Sequence, residues 1–73
     1  MTLELSNEEI EARVKTQILN ADLKSICLMI KAYRKTGAKI LGQRIYRLVQ
    51  GKKFDYTFAE YIYRNTKIMV EVQ

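Results

Sequence analysis

A chain of 73 residues with one cysteine and no histidine is a single small domain that neither an intrachain disulfide nor a zinc site can staple. Its 48% hydrophobic content is enough for a core and argues against disorder, and its longest apolar run, Ile26 to Ile30, is far too short to span a membrane. The net charge of +5 is uneven: residues 23–54 carry nine bases and no acid, a local balance of +9, against −3 for residues 1–22 and −1 for residues 55–73. Such segregation favours an anionic partner, with an ordinary solvated surface as the plainer reading.

The acidic, alternating N-terminus, Met1 to Asn7, lacks the pattern of a signal peptide, and the expected location is the reducing cytoplasm. Thr2 to Leu5 alternates polar and apolar residues and predicts a very short strand. Ser6 and Glu9 then have the spacing of a capping box, flanked by Leu5 and Ile10 as a hydrophobic staple. The helix they start runs to about Leu19, with Ile10, Val14 and Ile18 on its apolar stripe. Glu9–Arg13 and Glu11–Lys15 are placed as oppositely charged pairs on its outer side.

Asn20-Ala21-Asp22 reads as a tight break, with Asp22 capping a second helix from Leu23 to about Lys35. Leu23, Ile26, Cys27, Ile30 and Tyr33 form its stripe, which Leu28 and Met29 widen beyond one face. Cys27 lies within the stripe as a small hydrophobe rather than an activated thiol. Gly37 fits the left-handed residue that ends this helix, with Arg34 and Lys35 in its last turn.

The third helix, Ala38 to Gln50, divides cleanly on a helical wheel. Leu41, Ile45, Leu48 and Val49, with Ala38 beside them, share one face; Lys39, Gln43, Tyr46, Arg47 and Gln50 share the other. Lys and Arg suit guanine or phosphate, and Gln suits adenine, so the polar face has the chemistry of a nucleic-acid contact. Arg44 on the same helix and Lys52-Lys53 after Gly51 extend the positive charge. Thr57 and Glu60 repeat the capping-box spacing, with Tyr56 and Tyr61 as a staple, and predict a fourth helix over about Phe58 to Arg64. Ile68, Val70 and Val72 alternate with Lys67, Met69 and Glu71, which predicts a strand from Ile68 to Val72. A strand needs a partner; only Thr2 to Leu5, or the same strand of a second molecule, is available on this reading. The fold class is therefore mainly α: a four-helix domain over residues 1–73 with a short C-terminal strand, expected to form a homodimer.

Catalysis has little to work with. No histidine serves acid–base chemistry, no cluster has metal-ligand spacing, and no glycine-rich loop cradles a phosphate, so no enzyme, metal or cofactor is expected.

The run Ile45-Tyr46-Arg47-Leu48-Val49-Gln50-Gly51-Lys52-Lys53 resembles the end of the recognition helix in Cro/Xre-class helix-turn-helix phage repressors. The likeness extends to about Ile62, where the following helix fits. Upstream the pattern departs: with Gly37 as the turn, bulky Tyr33 stands where the family has a small residue, and the connection is about two residues longer, which makes a variant motif. The resemblance implies a transcription regulator of phage or plasmid type, in which Gln43, Tyr46 and Arg47 reach bases of duplex DNA. Lys39, Lys52 and Lys53 would hold phosphates, with Arg44 and Gln50 on the same nucleic-acid-binding surface. Two other readings remain open. One is a module that grips a host protein through its five tyrosines and interleaved arginines. The other is RNA binding with Tyr46, Tyr61 or Tyr63 stacked on unpaired bases.

Overall fold

A computed structural model describes residues 5–73. Helices α1 (Asn7–Gln17), α2 (Ala21–Thr36), α3 (Lys39–Val49) and α4 (Tyr56–Thr66) carry most of the chain, and two short strands, β1 (Lys53–Phe54) and β2 (Glu71–Val72), close it. The strand expected over Thr2 to Leu5 lies outside the described residues, apart from Leu5, which is in no strand and packs on the core.

Helix α1 begins as its sequence dictates. The Ser6 hydroxyl accepts from the Glu9 N–H at 3.1 Å, and the Glu9 carboxylate accepts from the Ser6 N–H. Two donors that the first turn cannot pair internally are thereby satisfied. The expected Glu9–Arg13 and Glu11–Lys15 pairs do not form. Glu9 is committed to the cap, and Glu11 instead meets Arg34 of α2 at 2.9 Å. Both side chains of that pair stand about half exposed, so it contributes little beyond orientation.

Asn20, not Asp22, caps α2: its side-chain oxygen accepts from the N–H groups of Asp22 at 2.9 Å and Leu23 at 3.4 Å. Asp22 lies inside the first turn, where its charge complements the helix dipole. At the other end Gly37 takes φ +68° and donates its N–H to the Tyr33 carbonyl at 2.7 Å, a conformation that a Cβ would strain. Only Gly37 and Ala38 separate α2 from α3.

The fourth helix starts two residues earlier than expected. Asp55 accepts from the Phe58 N–H at 2.7 Å, so the cap is Asp55 rather than Thr57. Phe54, just before the cap, stacks on Phe58 with ring centroids 5.5 Å apart, replacing the expected Tyr56–Tyr61 staple. Glu60 pairs with Arg64 at 2.9 Å instead of closing a capping box. Lys67 ends the helix at φ 61°, its N–H donated to the Tyr63 carbonyl and its ammonium 5.4 Å from the centre of the Tyr63 ring.

The C-terminal strand is narrower than the predicted Ile68 to Val72, and its partner lies within the chain. β2 pairs in parallel with β1, Lys53 opposite Glu71 and Phe54 opposite Val72, and the Gln73 N–H extends the ladder to the Phe54 carbonyl at 2.9 Å. Neither expected partner, Thr2 to Leu5 or a second copy, is required for that pairing. The intervening α4 makes the unit a small βαβ crossover.

The core is one cluster drawn from all four helices and β1: Ile10, Val14, Ile26, Cys27, Ile30, Ile45, Val49, Phe54, Phe58, Ala59, Tyr61 and Ile62. Seven of the twelve are Ile or Phe, whose full burial contributes about 1.5–3 kcal/mol each, so apolar packing is the main stabilising term in a domain without staples. Helix α1 packs mainly on α4, and α2 mainly on α3. The linear charge pattern thus becomes spatial, with α2 and α3 forming the basic half of the molecule.

Candidate nucleic-acid interface

The α3 sequence folds as an amphipathic helix whose inward register is fixed by Ile45 and Val49, both buried, with Leu41 and Leu48 half-buried beside them. That register points Lys39, Gln43, Arg44, Tyr46, Arg47 and Gln50 outward, and all six are exposed. Ile40 joins them as an exposed apolar side chain. No ion pair engages Lys39, Arg44 or Arg47 among the described residues; the two arginines held in salt bridges are Arg34 and Arg64.

The start of α3 differs from the other three. Ser6, Asn20 and Asp55 cap α1, α2 and α4 with side-chain oxygens, whereas Ala38 has none to offer and no acid occupies the first turn of α3. Its leading N–H groups therefore have no side-chain acceptor among the described residues, and the Leu41 N–H is donated to the Ala38 carbonyl at 3.1 Å.

Tyr33 explains how α2 and α3 meet across so short a turn. A Cβ on Gly42 would lie 3.3 Å from Cε1 of the Tyr33 ring. The ring therefore occupies the space that a side chain on α3 would fill. Bulky Tyr33 on α2 is thus matched by a glycine on the opposing helix.

Six of the eight predicted contact residues line two different clefts. Lys39, Gln43, Tyr46 and Arg47 line an open cleft of about 640 Å³ with Tyr33, Gly42, Thr66 and Ile68. Lys52 and Lys53 line another, together with Asp22 and Asp55, and Lys53 stands opposite Glu71 in the strand register. Among the described residues none of these three acids forms an ion pair with either lysine, but they share that cleft or the strand register, whereas no acid lines the α3 cleft. Tyr33, Thr66 and Ile68 belong to the cleft wall but had no place in the sequence-derived site. Tyr33 comes from α2, and Thr66 and Ile68 come from the end of α4 and the segment after it, an approach to α3 that no local pattern encodes.

Of the tyrosines considered for base stacking, Tyr61 is 3% exposed and sits in the core, so it cannot serve. Burial pushes its phenol pKa up, and nearby Cys27 and Glu11 add to the rise. Tyr63 is exposed but engaged by Lys67, and Tyr46, 52% exposed, is the one on the basic helix. Cys27 is buried, and desolvation raises its thiol pKa, which suits a packing role. No group of three or more potential metal ligands occurs among the described residues. No helix among them is long and apolar enough to cross a membrane.

Comparison with protein-family models, with curated proteins and with solved structures finds no match to this chain.

Proposed function

We propose that the protein is a small regulator that docks the outer face of α3 on duplex DNA. The observation that carries the reading is the unpaired polar face of that helix. Among the described residues, Lys39, Arg44 and Arg47 project without ion-pair partners from a helix whose opposite side is locked into the core. Gln43 and Arg47 have the donors and acceptors that read adenine and guanine edges in a major groove. Tyr46 supplies a flat apolar surface beside them, and the uncapped first turn of α3 suits a phosphate. Lys52 and Lys53 take a secondary part, because acids flank them.

A second copy would extend the contact to two half-sites. The support is the outer edge of β2, which has no strand beside it among the described residues. It is bordered by exposed Met69, Val72, Tyr56 and Tyr63. The duplex reading is favoured over a single-stranded one because only Tyr46, of the tyrosines proposed to stack, stands on the basic face.

The test is fluorescence anisotropy with labelled random duplex and with single strands at several salt concentrations. Arg47→Ala should cost roughly 1–3 kcal/mol and relax sequence preference if it reads a base. Lys39→Ala should weaken every sequence alike and flatten the salt slope by about one unit. Absence of duplex binding at low salt overturns the proposal.

A further inference from the structure

Because α1 packs on α4 and α2 on α3, the facing sides of α1 and α2 leave a cleft between them. Its volume is about 240 Å³, and Cys27 and Tyr61 form its floor, with Val14 and Ile18 on the α1 wall. Leu28 rises from the α2 wall with 57% of its surface exposed, and Leu19, next after Ile18, is 94% exposed. Three lysines stand on the rim: Lys15 on α1, Lys24 and Lys31 on α2. The one acid there, Glu11, is already held by Arg34 at 2.9 Å. None of these residues lines the α3 cleft, so whatever binds here leaves the proposed DNA face free.

The charge arrangement selects the occupant. Lys24 and Lys31 stand four before and three after Leu28, on the same face of α2. A symmetric contact with a second copy through Leu28 would bring lysine against lysine, and like charges so placed oppose association. Nucleic acid would meet the lysines but leave exposed Leu28 and half-buried Ile18 uncovered. A helix with an apolar ridge flanked by carboxylates answers both features at once. Its aliphatic or aromatic side chains enter the cleft between the two walls, and its Asp or Glu residues meet the three ammonium groups. We infer that the α1–α2 cleft is a docking groove for an acidic amphipathic helix of a partner protein, separate from the face of α3.

The experiment is a selection of random displayed peptides, long enough for several helical turns, against the full-length protein. Enriched peptides are then measured by calorimetry with the parent, Leu28→Lys, and a Lys24→Glu, Lys31→Glu variant. All three positions are exposed, so the variants should keep the parent's circular dichroism spectrum and melting profile. The expected result is a family of peptides with apolar residues at helical spacing and flanking Asp or Glu. Their affinity should fall roughly tenfold or more in either variant. Peptides without that pattern, or with it but indifferent to both variants, overturn the inference. So does a failure to enrich any peptide. Binding of decanoate in the cleft with no peptide binding would make it a small-amphiphile pocket, and a dimer dissolved by Leu28→Lys would make the occupant a second copy; either result also overturns it.

Discussion

Replacing Gly42 by leucine tests how the two central helices are fitted together. The Tyr33 ring lies against the α-carbon of Gly42, so that even a methyl group there would stand 3.3 Å from Cε1. An alanine asks the half-buried ring to give by a few tenths of an ångström and gains about 1 kcal/mol of helix propensity, so its net effect should be small. A leucine needs the volume of the ring itself. Overpacking of this kind costs about 1–3 kcal/mol. In a domain of this size each kcal/mol lowers the melting temperature by about 4–8 °C. Tyr33→Ala should also destabilise, because it empties the same space. Combining Tyr33→Ala with Gly42→Leu should recover part of both losses, with an interaction energy of about 1 kcal/mol or more. Urea unfolding followed by circular dichroism gives the four free energies of the cycle. Additivity of the two changes within about 0.5 kcal/mol would refute the proposed fit.

Asp55→Ala should cost about 1 kcal/mol through loss of the α4 cap, whereas Thr57→Ala should cost no more than a few tenths; reversal of that order in urea melts would contradict the cap assignment. Burial raises the pKa of both the Cys27 thiol and the Tyr61 phenol above their ordinary values, so the folded state favours their neutral forms. The resulting stability is fully present below the unfolded-state pKa values and declines as pH rises through the alkaline range; unfolding free energies that stay flat from neutral pH through that range would show the two groups to be uncoupled from folding. If copies associate along β2, a combined Met69→Lys and Val72→Lys change should convert a dimer to a monomer in sedimentation without lowering helix content. A parent that is monomeric at high concentration would remove the two-half-site arrangement.

What the sequence made legible was local. The Ser6–Glu9 box, the left-handed Gly37 and the opposed faces of the third helix each follow from a few neighbouring residues, and each is present in the structure. Four helices and a C-terminal strand follow from the same patterns. The misses are where two local solutions compete or where the partner is distant. Thr57 and Asp55 are both acceptable caps, and Phe54 decides between them by stacking on Phe58 from the strand side. Glu11 has a lysine one turn away yet meets Arg34, twenty-three residues on, across the space between α1 and α2. β1 is two residues long, too short to show alternation; its only sequence signal is Phe54, a lone large apolar residue between two charged ones. The exposed face of α3 was legible for the same reason as its core face. The separation of Lys52 and Lys53 from it was not, since the acids around them come from α2, the α4 cap and β2.

That separation narrows the electrostatic footprint well below what nine bases in one segment suggest. Arg34 is held by Glu11, Lys24 and Lys31 border the α1–α2 cleft, and Lys52 and Lys53 have acidic neighbours. Lys35, in the last turn of α2, is exposed and unpaired among the described residues, and Lys39, Arg44 and Arg47 are the exposed cations that α3 itself presents. Three phosphate contacts correspond to a slope of about −2.7 for log affinity against log salt, or about a 40-fold loss between 50 and 200 mM. A single copy would therefore grip DNA weakly at physiological salt. Two copies on adjacent half-sites would double the slope to about −5.4 and raise the loss to about 2,000-fold over the same range. The slope for duplex binding thus counts the copies engaged, independently of any measurement of the free protein. A slope near −2.7 that Met69→Lys and Val72→Lys leave unchanged means one copy acts alone. A steeper slope that this double change halves means that the β2 edge joins two copies on the DNA.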